Sequence, residues 1–265
     1  YNYCMKLAIV TNNNVANTKK VLSKFEDELQ KNSLSYEIVD IDHLKNGFDF
    51  VCAIGGDGTI LKTARFYANY DTPILGINLG RLGFLSQSGT SEIAKVVEHI
   101  KNKTYKVQER TMLKSDNYTA LNDFVIKGHS CTRTSKFSLQ INNKFVCDYI
   151  ADGIIISTPT GSTAYGLSAG GPILCPEIDC LVIVPICPHT LTARPLVIPT
   201  TEKITISSMD ELLTVAIDGQ EQSGTVKKVD IELSPKKAKL AFLGDDDFYS
   251  ILRDKLHWGI SPTDN

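Results

Sequence analysis

Hydrophobic and polar positions follow two rhythms, and the change comes near residue 110. Before it, short apolar runs alternate with stretches of helical spacing. Residues 5–10 read as a buried strand and residues 12–14 as a polar loop. Residues 17–31 place Val21, Leu22, Phe25 and Leu29 on one helix face. Residues 36–39 form a second short strand. Residues 50–54 are continuously apolar, as a parallel strand must be when both its faces are covered. This run leads into Gly55-Gly56-Asp57-Gly58 and a predicted helix over 59–70. Residues 73–77 are another apolar strand, ending in the glycine-punctuated loop 78–83. Residues 91–101 are a helix with Ser91 as its N-cap. Such alternation predicts an α/β unit with a mostly parallel sheet.

Beyond residue 110 the pattern is strand after strand. Residues 137–141 and 145–150 alternate around Asn142-Asn143, which signals a hairpin. Residues 153–157, 181–186, 196–198, 203–207 and 213–217 are further strands. Residues 229–233 and 238–243 flank Ser234-Pro235-Lys236-Lys237 and read as a second hairpin. Helical spacing returns only at 248–258. The expected architecture is an N-terminal Rossmann-like α/β domain, residues 1–110, and a C-terminal β-rich, β-sandwich-like domain, residues 111–244.

Composition narrows the function. The 265 residues are 42% hydrophobic and 22% charged, enough for two cores without staples. A net charge of -2 argues against nucleic acid as a partner but leaves room for a small polyanion. The seven cysteines form no C-x-x-C pair and read as reduced thiols of a cytoplasmic protein. Cys175, Cys180, Cys187 and His189 come nearest to a metal-ligand set, but their spacing fits no usual pattern, so no metal ligand is assigned. No signal peptide is visible, and no apolar run approaches the ~20 residues of a membrane helix, so no membrane partner is expected.

Two stretches carry chemistry. Strand, glycine loop, helix is a phosphate-handling arrangement, because glycines admit a ligand to the backbone and a helix N-terminus is partially positive. Gly55-Gly56-Asp57-Gly58 matches neither G-x-G-x-x-G nor the P-loop pattern. Its unusual member is Asp57. A carboxylate repels phosphate unless a divalent metal bridges the two or the carboxylate takes the proton of an attacking hydroxyl; either use means phosphoryl transfer. The alternative is a tight turn in which Asp57 bonds locally.

The second stretch runs from Asp152 to Tyr165. It holds five hydroxyl residues between Ser157 and Thr163, then an aromatic ring. Small side chains with many donors suit close contact with a nucleotide; a helix cap at Thr160 or Ser162 accounts for one hydroxyl only. Asn122-Asp123 is either a turn or a pair that bonds an adenine edge and a ribose. Asp218-Gly219-Gln220 reads as a hairpin turn.

Taken together, Gly55-Gly56-Asp57-Gly58-Thr59, Asn78-Leu79-Gly80-Arg81-Leu82-Gly83-Phe84, Leu121-Asn122-Asp123, the segment 152–168, Pro185-Ile186-Cys187-Pro188-His189, Arg194-Pro195-Leu196 and Asp218-Gly219-Gln220 resemble the NAD kinase family. That family is similar to diacylglycerol kinases and phosphofructokinases. The resemblance implies transfer of the terminal phosphoryl of ATP, or of polyphosphate, to the 2′-hydroxyl of the adenosine ribose of NAD. It implies a divalent cation, Mg²⁺, arriving with the donor, and a homodimer or homotetramer built through the β-rich domain. Asp57 would be the general base, with Gly56 and Gly58 admitting the hydroxyl and phosphates. Asn122 would bond the adenine and Asp123 the ribose. Thr160, Thr163, Ala164, Tyr165 and Ser168 would line the dinucleotide pocket, and Asp152 would serve the nicotinamide half. Arg133 and Gln220 fall where the family places substrate contacts. Lys62 either reaches a triphosphate or is a solvated surface lysine. The closing segment would pack on the first domain, anchored by Trp258. Two positions depart from many relatives: Asp123 stands where they have glutamate, and Ile150 where they have arginine. Two rival readings share parts of this pattern. A lipid or sugar kinase would use the glycine-aspartate loop, and a non-catalytic dinucleotide sensor would use the pocket.

Overall fold

The computed structural model describes residues 5–12, 17–79, 83–88, 92–130, 134–221, 225–244 and 248–259, with backbone only at 87, 88, 220 and 221. Asn13, Asn14, Gly80, Arg81, Leu82, Ser91 and Arg133, on which expectations rest, lie outside the described residues. The chain divides into two compact units, Tyr1–Glu109 with Ala238–Asn265, and Arg110–Lys237.

The first unit is built on a sheet whose strands run in the order Tyr36–Asp40, Leu7–Thr11, Phe50–Gly55, Ile74–Asn78, Ala238–Phe242 and Lys106–Arg110; Ser86–Ser88 also pairs with Ile74–Asn78. The first five strands in that order pair in parallel. Leu7–Thr11, Phe50–Gly55 and Ile74–Asn78 are buried at every position, the burial that a sheet covered on both faces imposes. Helix Thr18–Lys31 buries Val21, Phe25 and Leu29, and helix Ile93–Asn102 buries Ile93, Val96, Val97 and Ile100. Both apolar stripes pack with Ile9, Phe50, Cys52 and Ile54.

Two expectations fail here. Lys228–Leu233 and Ala238–Phe242 are not a hairpin. The former pairs antiparallel with Ile204–Ser207, and the latter pairs in parallel with Ile74–Asn78, Leu240 opposite Ile74. The difference lies in burial. Lys228–Leu233 alternates, whereas Ala238, Leu240, Ala241 and Phe242 are all buried, so the last strand needs cover on both faces. It completes the first sheet, and the second unit therefore ends at Lys237 rather than at 244. Helix Phe248–Leu256 belongs to the first unit, but Trp258 does not anchor it. Trp258 is 56% exposed, while Ile251 and Leu252 are buried and Lys255 Nζ stands 5.1 Å from the Phe84 ring centre.

The second unit is a sandwich of two antiparallel sheets. One has the order Lys144–Ala151, Ser135–Ile141, Ile204–Ser207, Lys228–Leu233, Leu113–Ser115, Tyr118–Ala120. The other has the order Leu196–Pro199, Cys180–Ile186, Gly153–Ser157, Asp123–Gly128, Leu213–Ile217, Gln220–Glu221. Phe137, Leu139, Ile206 and Ile231 of the first meet Phe124, Ile126, Ile154, Ile156 and Val215 of the second in one apolar core. The Asn142-Asn143 hairpin is present, with both residues at positive φ (51° and 61°) as a two-residue turn between right-twisted strands requires. The second sheet has a covered outer face too. Val125, Ile155, Val182 and Val184 pack with Leu174, which explains why Gly153–Ser157 and Cys180–Ile186 are buried throughout.

Candidate functional site

In the first unit the glycine loop ends directly in helix Asp57–Tyr67, which begins two residues before the predicted start. Asp57 therefore lies in its first turn. Gly56 caps the helix in extended conformation, with no side-chain hydrogen bond. The amides of Thr59 and Ile60 donate to Gly56 O at 3.0 and 3.2 Å. Those of Asp57 and Gly58 donate to no described residue, and they carry the positive end of the helix dipole. Among the described residues nothing requires glycine at 56 or 58: a Cβ at either would meet none of their atoms within 4 Å, and neither has positive φ. Gly55 differs, since a Cβ there would come within 2.6 Å of Thr59 Cβ.

Asp57 is exposed and bonds no described residue. Its carboxylate rests against Gly83, where any side chain would run into Oδ1. Gly83 is held in turn. Its N–H donates to the buried Ser86 Oγ at 2.6 Å, which also accepts from Asn78 Nδ2 at 3.3 Å. Lys62 pairs with Asp42 (Nζ to Oδ1, 2.7 Å) as an exposed ion pair.

In the second unit, strand Asp123–Gly128 is entered through a turn whose backbone is fully committed. The amides of Leu121, Asn122 and Asp123 all donate to the Asp218 carboxylate, at 3.0, 2.7 and 3.1 Å. The carbonyls of Leu121 and Asn122 accept from Thr158 Oγ1 (2.6 Å) and Thr158 N (2.9 Å), and that of Asp123 accepts from Asp218 N (3.0 Å). Gly161 lies so close that a Cβ would run into the Asn122 backbone. The Asn122 carboxamide bonds no described residue. Asp123 is 3% exposed, and its carboxyl is pushed up to about 7, first by burial and then by the neighbouring Asp218 charge.

The hydroxyl-rich run is mostly turned inward. Ser157 Oγ donates to Asn122 O and Thr158 Oγ1 to Leu121 O. Ser162 Oγ donates to Pro159 O and accepts from Leu174 N, and Thr163 Oγ1 donates to Thr160 O. Four of the five hydroxyls thus build the frame, leaving the buried Thr160 without such a bond. Residues 160–163 form a short tight turn, followed by the single helical turn Tyr165–Ser168. Ala164 closes that corner with its amide on Gly161 O, and Ser168 is exposed. Tyr165 is 40% exposed, with Lys127 Nζ 6.0 Å from its ring centre. Asp152 is exposed, its amide on Ile186 O, and Gln220 pairs through its backbone with Ile217. Asp218 and Thr158 were not singled out from the sequence. Their signal is present only as one carboxylate in an Asp-Gly turn and one hydroxyl among five. Among the described residues, no group of three His, Cys, Asp or Glu side chains comes together as a metal site, and no helix is long and apolar enough to cross a membrane.

In the first unit an open helix terminus with a carboxylate in its first turn stands on a parallel sheet, an arrangement suited to phosphate chemistry; the second unit presents the Asn122 carboxamide on a turn held by Asp218 and Thr158. Comparison with known proteins is specific. Residues 5–105 match the family model for the ATP-NAD kinase N-terminal domain and residues 121–243 that for the C-terminal domain. The chain is 43% identical over 223 residues to an NAD kinase of Clostridium botulinum, covering 79% of each. It is 41% identical over 234 residues to an NAD kinase of Carboxydothermus hydrogenoformans, covering 83% of each. A yeast NADH kinase solved with NADH shares the fold at a TM-score of 0.84 and 23% identity, over 98% of this chain and 90% of that one. An Archaeoglobus fulgidus NAD kinase solved with ATP does so at 0.80 and 24%, over 95% and 98%. The chain belongs to the NAD kinase family.

Two outcomes are expected. Gly58→Ala should fold normally, with its melting temperature essentially unchanged, because the new methyl meets open space. Were that space the approach for phosphate, phosphotransferase activity would nevertheless drop at least about tenfold; unchanged activity would show the position is merely permissive. The second concerns Asp123. Its proton is held more tightly in the folded chain than in the unfolded one, where the carboxyl titrates near about 3.9. Stability is therefore lost as pH rises from that value through about 7. Asp123→Asn should gain on the parent chain over that window in urea denaturation; a difference independent of pH would contradict it.

Proposed function

We propose that the chain transfers the terminal phosphoryl of ATP to the 2′-hydroxyl of the adenosine ribose of NAD, giving NADP. The observation that carries this reading is Asp57, an exposed carboxylate with no partner among the described residues, in the first turn of a helix whose leading amides bond none of those residues either. A pure anion receptor gains nothing from a negative charge there. An enzyme does, because an alcohol must lose its proton while phosphate is held alongside.

In this mechanism Asn122 bonds the adenine and Asp123 the ribose, both presented by a turn with no spare backbone group. Thr160, Thr163, Ala164, Tyr165 and Ser168 line the dinucleotide pocket, with Asp152 and Gln220 as further contacts. Asp57 orients the 2′-hydroxyl and takes its proton as the oxygen attacks the phosphorus in line. Gly56 and Gly58 let the phosphates approach the free amides, which stabilise their charge. Most of the acceleration comes from positioning and electrostatics. Mg²⁺ fits the donor set, since it typically binds through one or two carboxylates plus substrate phosphates and Asp57 supplies such an oxygen. When bound it neutralises phosphate charge. Lys62 lies on the same helix as Asp57 and is held in an exposed ion pair by Asp42. We also propose a homodimer or homotetramer, supported by exposed Phe145, Val146 and Ile150 on one edge strand and Leu196 and Val197 on another.

Incubation with NAD, ATP and Mg²⁺, coupled to an NADP-specific dehydrogenase, should yield NADP. Product with polyphosphate alone would change the donor, and no product with either would overturn the reading. Asp57→Asn should lower kcat by about 10²–10⁴-fold while NAD KM stays close to its parent value. Near-normal turnover would remove Asp57 as the base.

A further inference from the structure

Asp218 sits at the tip of the hairpin formed by Leu213–Ile217 and Gln220–Glu221, with φ 49°, followed by Gly219 at 77°. A turn of this kind accepts Asp for its tolerance of positive φ and asks nothing more of the side chain. Here the side chain does something else. Its two oxygens take three consecutive amides, Leu121 on Oδ2 and Asn122 and Asp123 on Oδ1, from a segment 95 to 97 residues away. The Asp218 amide returns a bond to Asp123 O. The strands behind the two segments are paired, with Ile217 opposite Phe124, so the hairpin tip is held in register with the turn.

We infer that Asp218 is a positioning residue for adenosine recognition: its carboxylate fixes the Leu121–Asp123 turn so that the Asn122 carboxamide is presented in one orientation. This rests on the adenosine role proposed above for Asn122 and Asp123. The turn's three carbonyls have partners of their own in Thr158 and Asp218, so the three amides are what depends on this single side chain. Charge matters as well as shape. Three N–H donors converge on one anion, and charge-assisted bonds are the strong ones. Without the anion the three amides must seek water, and the peptide planes that aim Asn122 are held by their carbonyl ends alone.

The test is steady-state kinetics on the whole chain, with NAD and the phosphoryl donor varied separately. Asp218→Ala should raise NAD KM about tenfold to a hundredfold, since two or more charge-assisted bonds are lost. KM for the donor should stay within about twofold, because in the proposed mechanism the phosphates are held by the glycine loop of the first unit. Asp218→Asn keeps one acceptor oxygen and should fall between; it also decides the matter if Asp218→Ala does not fold, as judged by circular dichroism. A general loss of structure would lower kcat for both substrates without this split. NAD KM unchanged in Asp218→Asn, or raised equally with donor KM, would overturn the inference. Failure of the unmodified chain to make NADP would instead overturn the function on which it rests.

Discussion

A negative side chain among unpaired amides is the constraint from which the chemistry follows. The first turn of helix Asp57–Tyr67 leaves its leading N–H groups unsatisfied, as every helix does, and Gly56 offers no side-chain cap to satisfy them. That end attracts anions. Among the described residues no cation pairs with Asp57, and its carboxylate is backed by the α-carbon of Gly83. Both features favour a substrate that brings phosphate and a proton to lose. The glycines show a division of labour. Gly55 lies hard against the Thr59 side chain and Gly83 against the Asp57 carboxylate, whereas no described residue crowds Gly56 or Gly58.

The second unit carries the opposite device. The Leu121–Asp123 turn has spent its backbone on Asp218 and Thr158, so the Asn122 side chain is what it has left to offer. The same burial that makes the turn rigid makes Asp123 hard to ionise. Its carboxyl is pushed up to about 7, where a protonated form can donate a hydrogen bond and an ionised form only accept one.

Much of the fold was legible because the parallel sheet imposes a severe pattern. Leu7–Thr11, Phe50–Gly55 and Ile74–Asn78 are covered on both faces and read as uninterrupted apolar runs. Ala238–Phe242 obeys the same rule but follows a Ser-Pro-Lys-Lys link, which looks locally like a hairpin turn. Local chemistry cannot reveal that the chain there returns to a sheet begun some two hundred residues earlier. Trp258 was assigned by size, yet Ile251 and Leu252 fit the helix stripe better and are the residues buried. The glycine loop was legible as a motif, but the start of the helix was not, since Gly58 is a poor helix former that hides it. The hydroxyls of residues 157–163 were the least legible. Composition showed many donors; only the backbone geometry shows that Ser157, Thr158, Ser162 and Thr163 bond within the frame. Asp218 was hidden for a related reason, as its partners lie far away in sequence and are backbone amides without any side-chain signature.

The base assignment is tested most directly by a crystal of the chain with NAD bound. If Asp57 readies the acceptor, the ribose 2′-oxygen will lie about 2.6–3.2 Å from an Asp57 carboxylate oxygen, with open space on its far side for a transferring phosphate. A ribose held well beyond that reach, with the carboxylate left in water, would contradict the role given to Asp57.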